Sequence, residues 1–251
     1  MLKPHLSRYW LNNERDKDPE RFDQQVETVC DLYGAAPTLH EQGVHLMSCD
    51  EKTGIQALER KHPDKPMQPG RVVQREHEYI RHGTQALIAN LEVATGQCVS
   101  PSIGDTRKEG DFVAHIEQTV ALDPEGTWTF IVDQLNTHKS ESLVRFVAHE
   151  CGIEDDLGIK GRKGILHSMA TRSAFLQDAS HRIRFVYTPK HTSWLNQIEI
   201  WFSILVRRLL KRGSFSSVNE LRERILAFID YFNVTMAKPF RWTYAGRPLQ
   251  I

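Results

Sequence analysis

The sequence predicts an α/β fold, a mixed sheet flanked by helices, on three observations. Short apolar runs rich in β-branched and aromatic residues recur along the chain, the clearest being Trp128–Val132 and Ile183–Tyr187. Segments with helical spacing of apolar residues alternate with these runs from residue 108 onward. Two strand-like runs, Thr84–Val93 and Gln97–Ser100, flank a Gly-containing turn at Ala94-Thr95-Gly96, which is hairpin chemistry. A hairpin followed by strand–helix alternation gives a sheet that is part antiparallel and part parallel.

The elements follow in order. Asp18 caps a helix that opens with Pro19; Phe22, Val26, Val29 and Tyr33 form its apolar stripe, and Gly34 is expected to close it before a loop over 35–43. Val44–Asp50 reads as a strand ending in a carboxylate. Residues 60–76, Pro-rich and basic, read as an excursion across the surface. After the hairpin comes a helix over Lys108–Leu122 with Phe112, Ile116 and Val120 inward. The stretch Gly126–Ser140 (GTWTFIVDQLNTHKS) is a buried strand that drives into Asp133, followed by a helix from Ser140 to about His149. Residues 151–180 hold basic glycine turns and a short helix, and a strand at 183–187 stops at Thr188-Pro189. Ser193–Lys211 is expected to be one helix. At ~100° per residue, Trp194, Leu195, Ile198, Trp201, Phe202, Leu205, Val206 and Leu209 cover one half of it, so both tryptophans are assigned to the core and Glu199 to the border of the buried face. A capping box at Ser217–Glu220 starts the last helix.

With 251 residues, 40% hydrophobic and 25% charged, the chain suits one large α/β domain, alone or with an appendage. It holds no run near the ~20 apolar residues a membrane helix needs, and no signal-peptide core follows the first methionine. Four scattered cysteines without CxxC spacing indicate neither a zinc ribbon nor a disulfide framework, so a cytoplasmic location is expected. The net charge of zero conceals an asymmetry: residues 157–251 carry 16 Lys and Arg against 5 Asp and Glu, and the remainder 16 against 27. A basic half of this size suggests a polyanion partner, with mutual pairing of the two halves as the alternative.

A carboxylate where a buried strand ends is expensive unless it is paired or binds a metal. Asp50 and Asp133 stand at such places, and Glu199 can point along the core toward them. Three such groups can hold two divalent cations about 3.5–4 Å apart, and oxygen ligands favour Mg2+ or Mn2+. Glu51 is assigned to a solvent-facing ion pair. His138 and Asn136 suit orientation of a phosphate or of a metal's water ligand, or capping of the following helix. Asn196 suits either reach to the metal site or helix-entry capping. Lys160, Arg162 and Lys163, in a glycine turn, suit phosphate contact through charge and backbone N–H groups. Arg207, Arg208 and Lys211 suit phosphate contact or a solvated helix end.

Beyond the residues themselves, VDQLNTHKS, YTPKHTSWLNQIEIWFSIL and SCDEKTGIQALER together resemble the catalytic domain of bacterial insertion-sequence transposases of the Tc/mariner superfamily, from about Leu2 to the end. The resemblance implies a ribonuclease-H-like fold with a metal-binding triad, which maps onto Asp50, Asp133 and Glu199. It further implies metal-dependent DNA cleavage and strand transfer, double-stranded DNA partners (transposon ends and TA-containing targets), a homodimer and a nucleoid-associated location. The chain differs by having Gln134 where many relatives have Asn, and by a longer spacing, 66 residues, between Asp133 and Glu199, so 151–180 reads as an insertion. Residues 1–40 then read as a linker and lead-in helix after a missing helix-turn-helix region, 41–235 as the catalytic domain and 236–251 as a basic aromatic tail. The alternatives are a catalytically idle DNA-binding remnant and a cellular ribonuclease H.

Overall fold

A computed structural model describes residues 17–244. The polar stretch 1–16 and the end of the basic tail, 245–251, lie outside it. Helix α1 (Pro19–Glu41) leads into β1 (Val44–Arg60), β2 (Tyr79–Glu92) and β3 (Cys98–Gly104), then α2 (Glu109–Val120), β4 (Thr127–Val132), α3 (Glu141–Glu150), α4 (Met169–Leu176), β5 (Ile183–Tyr187), α5 (Ile198–Leu205) and α6 (Val218–Thr235). The strands form one sheet in the order β3-β2-β1-β4-β5, antiparallel on the hairpin side and parallel from β1 to β5.

Strand alternation divides the core. Met47 and Cys49 of β1, with Phe130 and Val132 of β4, face α2, α3 and α4. On the other face, Leu87, Ala89 and Leu91 of β2 meet Trp201, Phe202 and Leu205 of α5 and the inner side of α6. Leu46 and Ile131 meet Val26, Val29, Tyr33 and Ala36 of α1. No described helix is long and apolar enough to cross a membrane.

The structure revises several expectations. Helix α1 runs through Gly34 and Pro37 to Glu41, because Ala36 is buried against the sheet, and the true stop is Gly43 at φ +78°. β1 does not end at Asp50 but continues ten residues to Arg60, bending at a register shift between Lys52 and Ile55 where Gly54 takes φ +68°. The expected helix 193–211 is broken into a 3-10 turn at Ser193–Leu195, α5, and a π-helical segment at Val206–Leu210. Trp194 is 45% exposed, set edge-on to Tyr244, while Trp201 is fully buried. At the last helix, Ser217 Oγ accepts from the Glu220 N–H as expected, but the Glu220 carboxylate turns back to the Ser216 N–H instead of closing the box.

Candidate active site

The parallel pairing of β1 with β4 ends at Ser48–Ile131, and Asp50 and Asp133 each lie two residues beyond that last pair. They therefore sit side by side where the parallel sheet opens, the usual place for ligands in such sheets. The alternation that sends Cys49 to the α2 face sends Ser48 and Asp50 to the α5 face. There Asn196, buried, acts as a latch. Its amide donates to the Cys49 carbonyl at 3.0 Å and approaches Asp50 Oδ2 at 3.4 Å, and its carbonyl accepts from Ser48 Oγ. Ser48 Oγ also receives the Ile198 N–H at 2.9 Å. Tyr33 of α1 completes the latch: its hydroxyl donates to the Leu195 carbonyl (2.9 Å) and accepts from the Gln197 N–H (3.2 Å). The break before α5 is thus filled by side chains from β1 and α1, and Glu199, half-buried in the first turn of α5, lies near enough for its charge to act on Asp50.

Asp50 has little to offset its charge. Burial, then Asp133, Glu51 and Glu199, push its carboxyl up to about 7, against one backbone N–H from Glu51 that lowers it. Asp133 is better served: burial raises its pKa, but a hydrogen bond and the charge of His138, and the Leu135 N–H, outweigh that and hold it below the usual carboxylate range. His138 Nδ1 lies 2.9 Å from Asp133 Oδ1, and its Nε2 lies 3.1 Å from Glu51 Oε1. The ring is 0% exposed and the Glu51 side chain 1%, with Phe112 packed on the ring at 4.2 Å. Burial disfavours the imidazolium, but the two carboxylates win and raise its pKa to about 9. Two acceptors cannot both be satisfied by a neutral ring with a single N–H, so His138 is a buried cation.

The ligand atoms of Asp50, Asp133 and Glu199 do not all lie within 4.8 Å of one another. The donor set still fits divalent cations: three carboxylates from three elements, mutually repelling, with Asp50 left short of positive charge.

The sequence missed five contributors. Glu51 is a buried partner of His138 and not a solvent-facing charge; it shares a strand face with Met47 and Cys49, and that alternation was the available signal. Ser48 and Tyr33 carry no motif of their own. Arg172, inside the expected insertion, is buried and donates to the Lys139 carbonyl at 2.7 Å and the Leu166 carbonyl at 3.0 Å, while Tyr187 donates to the His138 carbonyl at 2.8 Å. Together they fix the 3-10 turn Asn136–Lys139. Asn136 itself is exposed on that turn, beside an open groove of ≈ 560 Å3 lined in part by Lys17, Arg21, Lys139 and Lys190. Lys160 and Lys163 sit in exposed pairs with Glu141 (3.7 Å) and Asp156 (3.3 Å), and Arg162, Arg207, Arg208 and Lys211 are exposed.

The sequence model of the DDE superfamily endonucleases matches residues 45–222, from the start of β1 into α6. The chain is a DDE superfamily endonuclease. No curated protein matches it significantly. Among solved structures, this DDE endonuclease is similar in fold to the Mos1 mariner paired end complex with Mn (12% identity, TM-score 0.56, covering 92% of this chain and 60% of that one). It is similar also to a pre-cleavage Mos1 transpososome (12% identity, TM-score 0.54, 94% and 60%). The chain therefore spans about 60% of the length of the transposase chains it resembles, and its mixed five-stranded sheet is their ribonuclease-H-like fold.

Proposed function

We propose that this chain is the catalytic domain of a transposase, and that Asp50, Asp133 and Glu199 bind a pair of Mg2+ or Mn2+ ions. The observation that supports the reading is the placement of Asp50 and Asp133 abreast at the open end of the parallel sheet, with Glu199, in the first turn of α5, near enough for its charge to act on Asp50. Bound divalent cations would supply activation of the attacking water or hydroxyl and stabilisation of the leaving oxygen in an in-line phosphodiester displacement. The protein's part is positional. Asn196 and Ser48 hold Asp50 and the start of α5 in one frame, and His138 holds Asp133. Arg172 and Tyr187 fix the turn that carries His138. The first reaction would cut DNA at a transposon end, and the second would join the freed 3′-hydroxyl to a TA-containing target, with two copies of the chain acting together.

Exposed Lys and Arg supply the backbone contacts. The Lys160 and Lys163 pairs are surface pairs of little net strength, so DNA phosphates can replace their carboxylate partners. Arg207 and Arg208 project from the π-helical segment, a distortion often found at functional sites. The decisive experiment compares Mn2+-dependent nicking of duplex DNA by the wild type and Asp133→Ala. The variant should be inactive; equal activity in both would remove the triad from the mechanism.

A further inference from the structure

A second cluster of potential ligands lies at the opposite end of the sheet. Among the described residues, His40, His45 and Glu92 are the group of three whose ligand atoms all lie within 4.8 Å of one another. They come from the last turn of α1, the start of β1 and the end of β2. His45 pairs with Trp128, five residues before Asp50 and Asp133 along their strands, so the cluster is about 17 Å from the triad at ~3.3 Å per residue.

Its geometry is that of a coordination shell. His45 Nδ1 lies 3.1 Å and His40 Nδ1 3.3 Å from the same oxygen, Glu92 Oε1. Ligands at the ~2.0–2.1 Å of zinc–nitrogen and zinc–oxygen bonds, set tetrahedrally, are separated by about 3.3–3.4 Å. The two rings are edge-to-face, 6.4 Å apart between centroids, so their Nδ1 atoms converge without stacking. The outer contacts match. The remaining nitrogen of His45, Nε2, lies 3.1 Å from Asp123 Oδ2, the carboxylate–histidine arrangement that fixes the tautomer of a ligating ring. The second oxygen of Glu92 accepts from Thr95 Oγ1 at 3.1 Å, and Trp128 stacks on the His45 ring at 4.1 Å.

Two further observations point to a ligand. A neutral His45 has one N–H; given to Asp123, it leaves the Nδ1 lone pair facing Glu92 Oε1, so the gap calls for a positive charge, which a metal ion shared with His40 supplies to both rings at once where a proton on His45 serves only one. And Gly126 makes room for the pair: a Cβ there would stand 2.4 Å from Asp123 Oδ2 and 3.2 Å from His45 Cδ2. The helix C-terminus that carries His40 also favours a cation.

We propose that His40, His45 and Glu92 bind a zinc-type divalent ion, with Asp123 orienting His45 and the fourth position open to water on the exposed His40 side. The ion ties the end of α1 to the edge of the sheet far from the triad. Nitrogen ligands set this site apart from the all-oxygen triad and favour Zn2+ or Co2+ over Mg2+.

The test is Zn2+ and Co2+ binding to the full chain carrying Asp133→Ala, in excess Mg2+, read by equilibrium dialysis and by the visible absorption of tetrahedral Co2+. One tightly bound ion per chain is expected. His40→Ala, at an exposed position, should weaken it at least tenfold with unchanged circular dichroism. Gly126→Ala, which displaces Asp123, should weaken it about 10- to 100-fold. Zn2+ should raise the melting temperature of the parent and not that of His40→Ala. Absence of a bound ion in the parent, or equal affinity in the parent and His40→Ala, overturns the proposal.

Discussion

Asp50 carries the conflict between stability and function at a single side chain. Its carboxyl is buried among three acidic neighbours and ionises only near pH 7, so in the metal-free protein its charge is destabilising. Asp50→Asn, which keeps the shape and removes the charge, should stabilise the metal-free chain by about 1–2 kcal/mol in urea unfolding at pH 8 while abolishing nicking. Glu51 is the opposite case. Removing it by Glu51→Ala leaves a buried imidazolium with one counter-charge fewer, and the expected loss is about 3–5 kcal/mol. Equal stability of Glu51→Ala and wild type would mean that His138 is neutral.

His115 gives a pH signature that does not involve the triad. It is fully buried, only its Nδ1 is bonded (to Ser102 Oγ at 2.9 Å), and burial pushes its pKa down to about 3. The unfolded chain takes up a proton near pH 6.5 and the folded chain does not, so stability falls as pH drops below about 6.5. The slope from this group approaches ~1.4 kcal/mol per pH unit. Urea unfolding at pH 7 and pH 5 should therefore show a loss that is about 1–2 kcal/mol smaller in His115→Leu.

At the scale of elements, the start of α5 is held from outside itself. Its backbone breaks at Asn196, and Tyr33 and Ser48 make the bonds that helix continuation would otherwise have made. Tyr33→Phe removes one acceptor and one donor and leaves the Gln197 N–H buried without a partner. The expected cost is about 1–2 kcal/mol of stability, with a reduced nicking rate at saturating Mn2+ because Glu199 loses its frame. Unchanged nicking in a folded Tyr33→Phe chain would show that α1 plays no part in placing Glu199.

The same elements show what the sequence made legible. Helical spacing found α2, α3 and α6, and short apolar runs found β4 and β5, because burial imposes those periods directly. The three proposed ligands stood out because a carboxylate after an apolar run and one at a helix border are local features, although the strand that holds Asp50 continues past it. Helix α1 overran its expected stop because the burial of Ala36 overrides the preferences of Gly34 and Pro37. β1 overran Asp50 because Lys52-Thr53-Gly54 resembles a turn and proves to be a bulge opposite β2. The Glu51–His138 pair and the His40–His45–Glu92 cluster depend on the register of separated strands, which no local window contains.

At the scale of the whole molecule, the triad draws one residue from each of β1, the β4–α3 connection and α5, so it exists only when the parallel half of the sheet and both flanking layers have closed. The interval between Asp133 and Glu199, which contains the expected insertion at 151–180, is not passive in this respect. Arg172 and Tyr187 come from that stretch and brace the turn that carries His138.

One consequence of the buried His138 concerns ion uptake. The imidazole and the Leu135 N–H both engage Asp133 at Oδ1, so under the proposed function a divalent ion reaching this carboxylate would share it with a positive charge already paired there. Competition of this kind is reciprocal: the contact that steadies the ion-free protein lowers its appetite for metal by the same free energy. His138→Gln should then bind Mn2+ about 5- to 100-fold more tightly, measured calorimetrically, while melting at a lower temperature without it.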